Sequence, residues 1–171
     1  MTKKIGTIIM NFLRILKLNE LIYLFITPTI LTIIIYFFST IYIRDLGKFL
    51  GSFNSVVINV TAILAGFGMS SLGLLISSSS ENIEVAKKTM TRRKDRNNKL
   101  VSYYKLQILR SFYSLLMLFG LLSYSLILIF LIKLSQITNI LLFIEILLLI
   151  ISIFSQVFVI QSLYFLFVED K

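Results

Sequence analysis

Three long apolar runs, at 21–43, 55–77 and 111–132, contain no Asp, Glu, Lys or Arg, and a fourth at 138–168 is interrupted within its apolar stretch only by Glu145. A bilayer core about 30 Å thick is crossed by roughly 20 helical residues, so each run is long enough to span it. None alternates with a period of two, as a membrane barrel strand would, and helices are then the way to satisfy the backbone in lipid. The pattern predicts an all-α integral membrane protein, a bundle of four transmembrane helices.

Composition agrees. Over 171 residues the chain is 57% hydrophobic, with a single proline and seven glycines, and its mean hydropathy is +0.93. A soluble domain of this size has no interior large enough for that much apolar surface. No linker-like segment divides the chain, so 1–171 reads as one membrane domain. The absence of cysteine and histidine removes disulfides, thiolate chemistry, imidazole acid/base catalysis and the usual zinc sites. With no phosphate-binding loop or paired carboxylates either, the chain is expected to be no enzyme and to need no cofactor or metal.

The cations set an expected orientation. Of 17 Lys and Arg, only Arg44, Lys48 and Lys133 fall on one side of a four-span arrangement; the others lie in the N-terminal arm, in the loop after the second span, or at Lys171. The positive-inside rule then places both termini in the cytoplasm, and the residue usage suits a bacterial inner membrane. Residues 1–20 read as an amphipathic helix, with Ile5, Ile8, Ile9, Phe12, Leu13 and Leu16 opposite Lys3, Lys4, Asn11, Arg14 and Lys17. Such a helix is expected to lie flat on the inner leaflet. Residues 78–110 read as a basic cytoplasmic helical hairpin with its turn at Asn97 and Asn98. Its cations Lys87, Lys88, Arg92, Arg93, Lys94, Arg96 and Lys99 suit anionic lipid or a cytosolic protein partner better than nucleic acid, because cytoplasmic loops are basic for topological reasons.

Three intramembrane features stand out. In the second span Asn59, Ala62, Gly66, Ser70, Gly73 and Ser77 recur at steps of three and four, making one face of small or weakly polar residues. That face serves either close helix packing or the lining of a narrow path in an oligomer. Glu145 shares a side of the fourth span with Ser152 and Gln156; an ionisable group there is a functional candidate if buried, and is unremarkable if it reaches the outer headgroups. Pro28, between Thr27 and Thr29, is expected to kink the first span while the threonines satisfy freed carbonyls.

Two functions of different kinds fit these features. One is a small homo-oligomeric channel or membrane-disrupting effector, with the second span and also Glu145 facing a symmetry axis. The other is a non-conducting anchor or sensor whose basic hairpin recruits a cytosolic partner, as in anti-phage defence, superinfection exclusion or toxin immunity. No stretch carries a motif specific to a family.

Overall fold

The structure is a computed structural model describing residues 2–95, 97–131 and 138–168. In chain order it contains α1 (Thr2–Ile15), α2 (Leu18–Leu21), a π-helical turn (Ile22–Ile26), α3 (Thr27–Tyr42), α4 (Leu46–Ser77), α5 (Glu81–Lys88), β1 (Met90–Lys94), β2 (Leu100–Ser102), α6 (Tyr103–Leu131) and α7 (Thr138–Val168). Four segments are long and apolar enough to cross a membrane: Leu18–Tyr42, α4, α6 and the Thr138–Tyr164 part of α7. The protein is therefore a multi-pass helical membrane bundle. We refer to its two ends as the hairpin end, where α5, β1 and β2 sit, and the far end.

The second span is longer than its apolar run. Asp45 caps α4 by accepting a 3.0 Å bond from the backbone N–H of Lys48, which starts the helix well before Ser55 and leaves only a short connection after Tyr42. In the first span the π-helical turn ends two residues before Pro28, where the ring removes one backbone donor. The threonines around it bond to the helix backbone, though not to Leu24 O, the carbonyl four residues before the proline: Thr27 Oγ1 donates to Ile22 O at 3.3 Å, Thr29 Oγ1 to Phe25 O at 2.7 Å and Thr32 Oγ1 to Pro28 O at 2.8 Å.

Helix α6 is the centre of the bundle, packed along both α4 and α7, while α3 leans on the outer side of α7. Leu50, Leu128, Leu142 and Ile146 form the apolar core at the far end. Towards the hairpin end, Phe12 stacks on Tyr113 with ring centroids 4.0 Å apart, and Leu24 closes the same cluster. The first span adds Leu24 to the cluster at the hairpin end but leaves Ile30, Ile33, Phe37 and Ile41 exposed.

Two expectations change. Helix α1 is not simply an apolar face laid on a membrane: Phe12 and Ile15 are buried by the protein itself, against Tyr113 on α6 and against Val101 and Leu106, whereas Met10 and Leu13 stay exposed. The loop is not a helical hairpin throughout. Its arms are helical at α5 and from Tyr103, but β1 and β2 pair antiparallel between them. The reason lies in the turn. Asp95 accepts from the backbone of Asn97 at 2.9 Å and of Lys99 at 3.0 Å, and Asn98 sits at φ 58°, a left-handed conformation that Asn tolerates. Thr91 and Val101 then both point inward, joined by a 2.6 Å bond from Thr91 Oγ1 to Val101 O.

Candidate functional site

At the hairpin end one carboxylate and its two arginine partners hold five elements together. Glu20 follows Lys17 by three residues, so its Oε2 accepts from the Lys17 backbone N–H at 2.9 Å, closing the first turn of α2. The same carboxylate takes a two-pronged contact from Arg93 of β1, Nη1 to Oε2 at 2.5 Å and Nη2 to Oε1 at 2.7 Å. From α6, Arg110 Nη2 reaches Oε1 at 2.6 Å. Arg110 also donates to Ser162 Oγ of α7 at 2.5 Å and lies over the Phe158 ring, 4.2 Å from its centroid. Arg93 further donates to Ile15 O at 3.0 Å, tying in the end of α1. The three charged side chains are 11–15% exposed, so the planar fork-to-carboxylate contacts work where water competes weakly.

Beside this hub lies a cleft of about 1000 Å³ between α2, α5, β1 and the adjoining ends of α6 and α7. Lys17, Arg92, Arg93 and Arg110 line it, and Glu20 is the one acidic residue among its walls.

The interior of the bundle is polar along much of its length. Near the far end, Glu145 is fully buried and accepts from Ser125 Oγ at 3.2 Å, while Asn54 Nδ2 donates to Ser125 O at 3.1 Å. Nearer the hairpin end, Gln107 Nε2 donates to Val159 O at 3.2 Å. Between them Thr61, Ser111, Ser114, Ser152, Ser155 and Gln156 are buried, each with a side-chain atom that has no hydrogen-bond partner among the described residues. Native interiors keep few such atoms, because each costs roughly 1–3 kcal/mol unless a partner or a water satisfies it.

The residues singled out from sequence separate into three places. Glu145, Ser152 and Gln156 share the buried side of α7. Asn59, Ala62, Gly66, Ser70, Gly73 and Ser77 are all exposed on α4, with Gly73 at the edge of a groove that α6 also lines. Nothing lies within 4 Å of a Cβ built on Gly66 or Gly73, whereas one on Gly68 would come 3.0 Å from both Gln156 Nε2 and Leu115 Cδ2. Gly68 is thus where α4 approaches its neighbours within the chain. Glu145 and the exposed α4 face do not meet. Pro28 is buried in α3. Among the loop cations, Lys87, Lys88, Arg92, Lys94 and Lys99 are exposed, Arg93 is drawn into the hub, and Arg96 lies outside the described residues.

Glu20, Arg110 and Ser162 carry the hub yet have no local sequence signature; a lone acid just before one apolar run, and an arginine just before another, were the available hints. No family of known proteins, no curated protein and no solved structure matches the chain.

Proposed function

We propose that the protein is a non-enzymatic homo-oligomer of a bacterial inner membrane, termini cytoplasmic, that conducts ions or permeabilises the bilayer around a symmetry axis faced by α4. The observation that carries this reading is the exposure of the whole Asn59-to-Ser77 face, including an amide far from either end of a 32-residue spanning helix. That amide has no hydrogen-bond partner among the described residues, and in lipid a second copy would supply one. Gly66 and Gly73, open in the single chain, would let neighbouring α4 helices approach closely. A groove of about 390 Å³ between α4 and α6, lined by Met69, Gly73, Phe112 and Phe119, adds a recess on the same side. Conduction needs several copies because side chains fill the interior of one bundle. Glu145, buried within the protomer, then belongs to the bundle and not to the axis.

The test is ion flux through liposomes containing purified protein, with oligomeric mass measured in detergent. Gly66→Leu and Ser70→Leu are expected to abolish flux while leaving the protomer folded, since both positions are exposed. Gly68→Leu is the contrasting variant: overpacking there is expected to lower the melting temperature, at a cost of about 1–3 kcal/mol. A tight bilayer with wild-type protein, or a mass of one chain, refutes the channel.

A second reading rests on a different observation. The exposed Lys87, Lys88, Arg92, Lys94 and Lys99 sit on a unit clamped to the bundle by Glu20, which suits recruitment of an acidic cytosolic partner in an anchor or sensor. Charge reversal at Arg92, Lys94 and Lys99 is expected to end recruitment without opening the membrane; Arg93 is left intact because its loss would break the hub.

A further inference from the structure

We propose that the cleft at the hairpin end is a binding site for a phosphate-bearing ligand. Among the described residues four cations and one carboxylate line its walls, a surplus of three positive charges. Two of the four are already committed: Arg93 meets Glu20 with both of its Nη atoms, and Arg110 gives Nη2 to Glu20 and Nη1 to Ser162. The other two are not. Lys17 and Arg92 are exposed and make no ion pair with any described residue. Arg110 keeps one more donor, its Nε–H, buried and without an acceptor among the described residues.

The arrangement discriminates between anions. Glu20 shows how the site holds a planar carboxylate, with two guanidinium groups meeting its edges, and that place is filled. What remains open is a set of donors on different elements, Lys17 before α2, Arg92 on β1 and Gln161 on α7, around a space far larger than a carboxylate. A tetrahedral phosphate accepts from several directions at once and carries enough charge to answer the surplus. Apolar walls at Val85, Leu106 and Phe158 suit a ligand with a less polar portion attached to the phosphate. About 1000 Å³ is the upper end of the range for small-molecule sites. Two sources share this chemistry, the headgroup of an acidic phospholipid and a soluble phosphorylated molecule. The site does not depend on whether the protein conducts.

The experiment uses the full chain in phosphatidylcholine nanodiscs, titrated calorimetrically with inorganic pyrophosphate and, separately, with citrate. In parallel, native mass spectrometry counts phosphatidylglycerol retained by protein purified from mixed lipid. Binding is expected in at least one arm: pyrophosphate binding identifies a soluble ligand, and selective phosphatidylglycerol retention without pyrophosphate binding identifies the headgroup. The double variant Lys17→Gln/Arg92→Gln is expected to weaken that binding by about tenfold or more, as loss of charge-assisted bonds should. Lys94→Gln/Lys99→Gln, which removes equal charge outside the cleft, is expected to change it by less than about threefold, the size of a screened surface effect. Gln161→Glu places a carboxylate in the same cleft and is expected to act like the first pair. Equal losses in the two double variants, citrate binding as tight as pyrophosphate, or no binding in either arm would each overturn the assignment.

Discussion

A single carboxylate decides how the hairpin end is held. Glu20 bridges Arg93 and Arg110, residues 73 and 90 positions away in sequence, and all three side chains are mostly shielded from water. Removing its charge leaves two guanidinium groups facing each other and a neutral amide whose N–H₂ cannot accept from them. A fully buried pair broken this way costs about 3–5 kcal/mol; with partial exposure, Glu20→Gln is expected to cost about 2–3 kcal/mol in thermal or denaturant unfolding of the detergent-solubilised protein. Lys94→Gln, a solvent-exposed change, is expected to stay within about 0.5 kcal/mol. Equal effects of the two would show that the hub does not secure the bundle. The same residues show where sequence reasoning stops. That Glu20 and Arg110 are charged is legible at once; that they meet is not, since the pairing is non-local and each residue's neighbours in sequence say nothing about it. Gly68 is similar. Its spacing does not distinguish it from Gly66, and only the rotation of α4 against α6 and α7 decides which glycine is crowded.

Among the elements, the β-hairpin is the part the periodicity misplaced. Glu81 and Glu84 at the start of α5 and Lys87 and Lys88 at its end are the charges a short helix favours, and these pointed to a helix that runs too far. The strand signal was present but brief: Thr91 and Val101 alternate with exposed neighbours over five and three residues, too short for a period of two to stand out. Asp95 ends the helical option by holding the turn. Its hydrogen bond from Lys105, helped by the backbone N–H groups of Lys99 and Asn97, holds its carboxyl below the ordinary value of 3.8. A carboxyl whose pKa is lowered on folding stabilises the fold above the unfolded pKa and loses that contribution as pH falls through the folded one. Amide exchange protection in 90–102 is therefore expected to be constant from neutral pH down to about pH 4 and to drop below it. Asp95→Asn is expected to have lower protection throughout that does not change across this window. A hairpin whose protection is as insensitive to acid in the wild type as in the variant would remove Asp95 from this role.

At the scale of the whole molecule, the number of spans was readable because length and apolarity are local properties, whereas where α4 and α6 begin and the order of packing were not. Nothing in the sequence announced that α6 would be central, or that Leu18–Tyr42 would be 17% buried over its most apolar window while Thr138–Tyr164 is 44% buried. The polar residues mark the vertical scale. Glu145 and Ser162 lie on the same helix, 17 positions apart in the sequence, or about 26 Å along the axis, comparable with a hydrocarbon core of about 30 Å. If the hub around Ser162 lies at one headgroup level, Glu145 lies inside the opposite leaflet, sheltered between α4, α6 and α7. If α4 crosses the membrane, Lys99 and Lys48 lie on opposite sides of it, and the orientation proposed above puts Lys99 in the cytoplasm. The chain has no cysteine, so single cysteines can be read without background. In intact cells a membrane-impermeant maleimide is expected to label Lys48→Cys directly and Lys99→Cys only after the cells are opened. The reverse pattern would keep the bundle but invert it, moving the basic cleft away from the cytoplasm. Labelling of both before opening would mean that α4 does not cross the membrane, and the four-span arrangement itself would fall.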